Sequence, residues 1–82
     1  MTYRLQYDDA AQAAHDALPQ RASEQLTLAL ADACGDPIGN TRPYGEVEDR
    51  YMRQIVTDHV TAILLVGHNL KTITVLKIKP VR

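Results

Sequence analysis

Cationic side chains are concentrated in two segments whose alternation of polar and apolar residues is typical of β-strands. Arg50 and Arg53 lie at the start of the first segment, and Lys77, Lys79 and Arg82 close the second. Arginine can hold a phosphate through two parallel hydrogen bonds, so a sheet that joined these segments would form a phosphate cradle. Terminal lysines also discourage edge-to-edge pairing of strands, and we favour that interpretation for the lysines. For Arg53 we favour phosphate binding, because arginine is uncommon inside an apolar strand segment.

Residues 36–48 are rich in proline and glycine and are expected to form a loop. A loop of this length is uncommon in a small domain, and such loops are often functional. Tyr44, within this loop, either anchors it to the core or faces a ligand.

The composition limits the class of protein. The chain has 82 residues, enough for one domain spanning residues 1–82, and its formal net charge of −1 argues against nucleic-acid binding driven by bulk charge. Cys34 is the single cysteine, which excludes an internal disulfide. The start of the chain has no long apolar run, so we expect no signal peptide, no membrane span and a cytoplasmic location.

Motifs that bind cofactors or metals do not occur in the sequence. It has no glycine-rich phosphate loop, no zinc-binding motif and no nucleophile elbow. His15, His59 and His68 lie on three different predicted elements, which disfavours a metal site. We therefore expect neither a cofactor nor a metal.

The spacing of apolar residues predicts the element order β-αα-βββ. Residues 3–7 alternate as a half-buried strand, residues 10–17 are alanine-rich, and residues 22–33 carry an apolar stripe at helical spacing. Pro19 separates the two helices, and Gly35 followed by Pro37 ends the second. Residues 50–56, 60–66 and 71–79 are predicted strands with short turns between them.

This element order predicts an α+β fold. Three consecutive strands with short turns form an antiparallel meander, and the first strand must join the same sheet or leave its edge exposed. We expect a four-stranded antiparallel sheet with the N-terminal helical hairpin packed on one face. The uncovered face is then expected to carry the functional site.

Several stretches in this order resemble the RelE/ParE superfamily of type II toxins. They are the opening strand at residues 3–7 followed by Ala10 and Ala11, the Ala17-Leu18-Pro19 link, the Gly35-Asp36-Pro37 helix stop, and the strands within residues 51–66 and 72–78. The resemblance covers nearly the whole chain and implies a RelE-like fold of the type β-αα-ββ(β).

Ribonuclease members of that superfamily cut mRNA in the ribosomal A site, with the 2′-hydroxyl as the nucleophile. Such catalysis needs cations on the scissile phosphate, a base and an acid. The resemblance places Arg53 and Arg82 at cationic positions, so their joint replacement by alanine is expected to abolish toxicity without changing the fold. Glu46 and His59 lie where related members keep a carboxylate and a histidine. The expected substrate-binding residues are Arg50, Lys77, Lys79, Tyr44 and Tyr51.

Two departures from the superfamily pattern leave three functions open. Val60 and Thr61 stand where members commonly have Tyr-Arg, and beyond Arg82 we expect no counterpart of their C-terminal helix or aromatic tail. The resemblance implies a ribosome-dependent mRNA endoribonuclease that inhibits translation. The alternatives are a ParE-like gyrase inhibitor and a catalytically impaired member that only binds its antitoxin. A cognate antitoxin is the expected partner in each case, with the ribosome and mRNA added for a nuclease, and a homodimer or a hetero-oligomer with the antitoxin is the expected assembly.

Overall fold

Two helices and five strands make up the protein, which the computed structural model describes for residues 2–45 and 49–81. In chain order they are β1 (Arg4–Tyr7), α1 (Asp9–Asp16), α2 (Gln20–Gly35), β2 (Arg42–Pro43), β3 (Met52–Val56), β4 (Val60–Gly67) and β5 (Thr72–Pro80). The predicted helices and strands are all present close to their expected bounds. The structure adds β2, a short strand inside the predicted loop.

The two helices begin and end where local chemistry favours it. Helix α1 follows the extended residue Asp8, and Asp9 in its first turn suits the positive end of the helix dipole. Helix α2 begins directly after Pro19, whose ring cannot continue the preceding helix. Leu26 and Leu30 of α2 are fully buried one helical turn apart, so this helix turns a single apolar stripe inward.

The sheet is mixed, with the strand order β1-β5-β4-β3-β2. Strands β2 to β5 pair in antiparallel fashion, whereas β1 runs parallel to β5. The expected four-stranded antiparallel sheet was therefore wrong in strand number and in the direction of β1. Alternating apolar residues determine which face of a strand is buried, but the alternation is the same whether the strand runs parallel or antiparallel to its neighbour.

Both helices lie on the same face of the sheet, which we call the helix face. One core cluster joins Ala11 of α1 and Leu26 of α2 to inward-pointing strand residues such as Leu64, Val66 and Val75. The opposite surface, which we call the open face, carries neither helix. The helices thus cover one face of the sheet, although the placement of the helical hairpin differs in detail from the expected one.

A β-bulge in β5 decides which face its last lysines occupy. Val75 pairs with Leu64 but Lys77 pairs with Ile63, so Leu76 is an extra residue opposite a continuous β4. Side chains alternate between the two faces along a strand, and one extra residue therefore shifts the alternation by one position. Val75 consequently points to the helices, whereas Lys77 and Lys79 point to the open face.

Candidate functional site

The open face is a broad surface with polar margins and an apolar centre. Ile63 and Leu65 of the central strand β4 form the centre, and the larger polar side chains lie on the strands around it. In order across the sheet, the open face consists of Arg4, Gln6, Thr72, Thr74, Lys77, Lys79, Thr61, Ile63, Leu65, Met52, Gln54, Val56 and Arg42.

The charges of the open face are all positive. The five strands contain no aspartate or glutamate, and four of their five cations lie on this face, namely Arg4, Arg42, Lys77 and Lys79. The acids in the described part of the chain lie instead in the helices and in the connections between elements. A sheet face whose charged residues are all cations is thus present in a chain whose net charge is −1.

Arg53 is the fifth strand cation, and it lies on the helix face with only 2% of its surface exposed. Its Nε donates to the Thr41 hydroxyl at 2.8 Å, and its two Nη atoms donate to the backbone carbonyls of Thr41 (2.9 Å), Asp49 (3.2 Å) and Ile38 (3.3 Å). The Thr41 hydroxyl in turn donates to the Pro37 carbonyl. The guanidinium therefore ties the long loop to strand β3.

This geometry corrects the interpretation of Arg53 as a phosphate ligand. Its register partner Leu64 belongs to the core, and the lysines of β5 point to the opposite face of the sheet. A guanidinium surrounded by loop carbonyls has its donors committed inside the protein. The phosphate cradle predicted from Arg53 and the closing lysines is thus not assembled.

Asp49 fixes the other end of the loop, where the chain enters β3. Its carboxylate accepts hydrogen bonds from the N–H groups of Tyr51 (2.8 Å) and Met52 (3.1 Å). The hydrogen bond from Tyr51, then that from Met52, lowers the pKa of the Asp49 carboxyl below its usual value, and the charge of Arg53 acts in the same direction. The ionised carboxylate therefore stabilises this turn.

Replacing Asp49 with asparagine is expected to lower stability at neutral pH and to have no such effect in acid. A carboxyl whose folded-state pKa is depressed stabilises the fold above its unfolded-state pKa of about 3.9, and this contribution is lost as the pH falls through the folded-state value. Urea unfolding of wild type and Asp49→Asn at pH 7 and at about pH 2.5 measures the difference. Asp8→Asn is the control, because Asp8 makes no capping hydrogen bond. An equal difference at both pH values would contradict the assignment.

His59 and Lys79 lie at one end of the sheet. Lys79 pairs with Thr61, and the Val81 N–H donates to the His59 carbonyl at 3.1 Å, so the end of β5 passes beside this histidine. His59 is exposed and lines a shallow pocket of about 310 Å³ together with Asp58, Pro80 and Val81. Two other predicted site residues, Glu46 and Arg82, lie outside the described residues.

Arg50 and Tyr51 lie at the opposite end of the sheet. The carbonyl of Tyr51 accepts from the Val66 N–H, whereas Lys79 is opposite Thr61, five positions away along β4. This separation is roughly 17 Å at the usual rise per strand residue. The predicted substrate-binding residues Arg50 and Tyr51 are therefore separated from Lys79 by most of the length of the sheet, and Lys77 lies between them, opposite Ile63.

Tyr44 follows the short strand β2 at the margin of the sheet. Its N–H donates to the Met52 carbonyl at 3.1 Å, and 43% of its surface is exposed. Two roles were considered for this residue, namely anchoring the loop to the core and facing a ligand. Its ring is exposed and therefore available to a ligand, while its backbone continues the pairing of β2 with β3.

Sequence reasoning missed two cations of the open face, Arg4 and Arg42. Arg42 pairs with Gln54 in the short edge strand β2, which the proline and glycine content of the loop concealed. In β1, Arg4 alternates with residues whose side chains are partly buried, and this alternation could have predicted its position on the open face. Both arginines are exposed.

The described residues gather no group of three or more metal-ligating side chains. His15 is hydrogen-bonded to the Tyr7 hydroxyl and His68 to the Tyr3 hydroxyl, at different places in the fold. Cys34 is buried, and burial raises the pKa of its thiol. Among the helices described, none is long and apolar enough to cross a membrane.

Comparison with known proteins gives matches in structure but not in sequence. Neither a protein-family model nor a curated protein matches the chain. The isolated Escherichia coli RelE toxin matches with a TM-score of 0.83 and 18% identity, covering 98% of this chain and 85% of that chain. A chain of the RelBE2 toxin–antitoxin complex of Mycobacterium tuberculosis matches with a TM-score of 0.79 and 13% identity, covering 98% and 99%.

An archaeal protein extends this likeness. A chain of the RelE–RelB complex from Pyrococcus horikoshii matches with a TM-score of 0.74 and 21% identity, covering 98% of this chain and 96% of that chain. Each match spans almost the full length of this chain, including both helices and the sheet. The chain therefore has the fold of the RelE toxins, as the resemblance in its sequence implied.

Proposed function

We propose that this chain is the toxin of a type II toxin–antitoxin pair and that it inhibits translation by cutting mRNA on the ribosome. The single observation that carries this proposal is the open face, which combines four exposed cations with a complete absence of acids from the strands. A polyanion is the ligand that such a surface favours. The RelE fold supports the same assignment.

The chemistry would be divided between the open face and its His59 end. Lys77 and Lys79 of β5 and Arg42 of β2 would hold the phosphates, since their side chains share one face of the sheet. His59 is the proposed acid–base group, and Tyr44, which lies beside Met52 towards the other end of the sheet, is an exposed candidate for substrate binding. Glu46 and Arg82 remain proposed members of this site on the strength of the sequence resemblance.

A second candidate function has one observation in its favour. Arg53 is committed to the loop, and Val60 and Thr61 stand where superfamily members commonly have Tyr-Arg. A site without a central arginine loses stabilisation of the phosphate in the transition state, and each lost contact lowers the rate by about 10²–10³. A ParE-like gyrase inhibitor or an impaired member that only binds its antitoxin is therefore the alternative.

The proposed partner is a cognate antitoxin in the cytoplasm. RelE proteins of similar structure are known in complex with RelB antitoxins, including one bound to a peptide of the antitoxin. An acidic antitoxin segment would suit the open face by charge, and its binding would cover the site and add buried apolar area to a small domain. The proposed assembly is a hetero-oligomer with the antitoxin, in which the site is covered, or a homodimer of the toxin.

Purified protein added to ribosomes that carry a defined mRNA is expected to cut the message at the A-site codon. Primer extension on the recovered mRNA would locate the cut, and the same mRNA without ribosomes should stay intact. Uncut mRNA on programmed ribosomes would exclude the nuclease. A parallel supercoiling assay with gyrase separates the alternatives, because inhibition there with intact mRNA identifies a gyrase inhibitor, and no effect in either assay identifies an antitoxin-binding member.

A further inference from the structure

Three aromatic rings meet at the end of the sheet opposite to His59. Tyr51 lies against His68 with ring centroids 5.4 Å apart, and His68 lies against Tyr3 at 6.1 Å, both in edge-to-face geometry. The Nζ of Lys71 is 5.2 Å from the centroid of the Tyr3 ring. We call Tyr3, Tyr51, His68, Lys71 and the neighbouring Leu70 the aromatic rim.

Hydrogen bonds hold His68 in a fixed orientation at the centre of the rim. Its Nε2 donates to the Arg50 carbonyl at 2.7 Å, because a carbonyl oxygen only accepts. In the neutral ring, Nδ1 then accepts from the Tyr3 hydroxyl at 3.1 Å. The histidine thus links the entry to β3, the start of β1 and the β4–β5 turn, and the rings are organised before any ligand arrives.

Some features of the aromatic rim are not needed to stabilise the end of the sheet. Tyr51 and Leu70 are 59% and 79% exposed, although burial of either side chain would stabilise the fold. Lys71 has φ 57°, a left-handed conformation that a lysine rarely adopts and that glycine or asparagine would adopt more readily. The rim also borders a shallow pocket of about 260 Å³ lined by Tyr51, Leu70 and the turn.

The charges around the rim favour an anionic ligand with flat rings. Arg50 precedes Tyr51 in the chain, Lys71 lies over the Tyr3 ring, and the neighbouring Asp49 carboxylate is already bonded by two backbone N–H groups. Exposed aromatic faces beside cations are the combination with which proteins bind single-stranded nucleic acid, because each base stacks on a ring while its phosphate meets a cation. A protein partner with an apolar anchor would need the rings but would gain little from the cations.

We propose that the aromatic rim binds one unstacked base of a single-stranded RNA, with the Tyr51 ring as the stacking surface and Arg50 and Lys71 beside the adjoining phosphates. This inference rests on the proposed function and adds a second contact to it, roughly 17 Å along the sheet from Lys79. Because Tyr3 packs against the core cluster, the rim lies at the end of the sheet on the side of the helix face, and an RNA strand on the open face would pass around the end of β4 to reach it.

Fluorescence anisotropy with a short, labelled single-stranded RNA at low salt tests the proposal. Tyr51→Leu keeps an apolar side chain but removes the ring, and it is expected to weaken RNA binding by about tenfold, the effect of losing one stacked base. Tyr51→Phe keeps the ring and should bind within about twofold of wild type. An abasic RNA should lose affinity for wild type but not for Tyr51→Leu, if the missing base is the one that stacks.

Two results would overturn the proposal that the aromatic rim binds RNA. The first is equal RNA affinity of Tyr51→Leu and wild type, and the second is a wild-type protein that binds no RNA at all. Loss of antitoxin binding by Tyr51→Leu with unchanged RNA affinity would assign the rim to the protein partner instead. The ribosome assay is independent of these readouts, so mRNA cutting that needs the open-face lysines but not Tyr51 would leave the proposed function standing.

Discussion

Replacing Arg53 with methionine is expected to lower the free energy of unfolding by about 2–4 kcal/mol. The substitution removes the four hydrogen bonds to described residues and leaves the Ile38, Thr41 and Asp49 carbonyls without this donor. A polar group left unsatisfied inside a protein costs about 1–3 kcal/mol, and methionine restores only part of the apolar contact. Urea unfolding followed by circular dichroism measures the change.

The matched control is Arg42→Met on the neighbouring strand. Arg42 is exposed and points to the open face, so its removal should change the free energy of unfolding by less than about 0.5 kcal/mol. Arg53→Lys should fall between wild type and Arg53→Met, because an ammonium keeps the charge but cannot reach all of the acceptors of a planar guanidinium. Equal stability of Arg53→Met and Arg42→Met would show that the loop does not depend on Arg53.

This expectation changes how any loss of toxicity in an Arg53 variant is interpreted. The sequence interpretation of Arg53 as a phosphate ligand predicted that its replacement would leave the fold unchanged. The structure predicts instead that the loop bearing Arg42 and Tyr44 loses the side-chain hydrogen bonds from Arg53 that help to hold it against β3. Reduced activity in such a variant would then follow from misplaced loop residues, and it must be compared with stability measured on the same protein.

Reversing both lysines of the open face is expected to abolish the proposed activity and to spare the fold. Lys77 and Lys79 are exposed, so Lys77→Glu with Lys79→Glu should leave thermal unfolding close to wild type. Two acids on the proposed phosphate path would repel RNA, and cutting on programmed ribosomes should fall by at least about 100-fold. Primer extension on the mRNA measures the loss, and growth after expression in cells gives a second readout.

Leu28→Glu on helix α2 is the charge-matched control for the single variant Lys79→Gln. Both substitutions lower the net charge by one, and Leu28 is 68% exposed on the helical side of the molecule. A dependence on total charge would affect the two variants alike, whereas a phosphate site on the open face would affect Lys79→Gln alone. If the double lysine variant cut mRNA normally, the open face would not be part of the proposed site.

The element order and the existence of an open face could be read from the sequence, because both follow from local patterns. The alternation at residues 3–7, the apolar stripe from Ala22 to Ala33, and the stops at Pro19 and Gly35 each reflect the chain geometry of one segment. The shift of phase in β5, where Ile73 and Val75 give way to Ile78, is also visible as a local change in the spacing of apolar residues. The resemblance to RelE toxins rested on this ordered set, and the fold confirms it.

The tertiary structure was needed for the direction of β1, for the pairing of β2 and for the role of Arg53. A strand presents the same alternation whichever way it runs, and a two-residue strand in a loop is defined only by its partner, Gln54 and Arg53 of β3. An arginine in an apolar strand has the same local sequence whether it meets a ligand or a loop. Its acceptors at Ile38 and Thr41 are 15 and 12 residues away, so only the folded loop assigns its role.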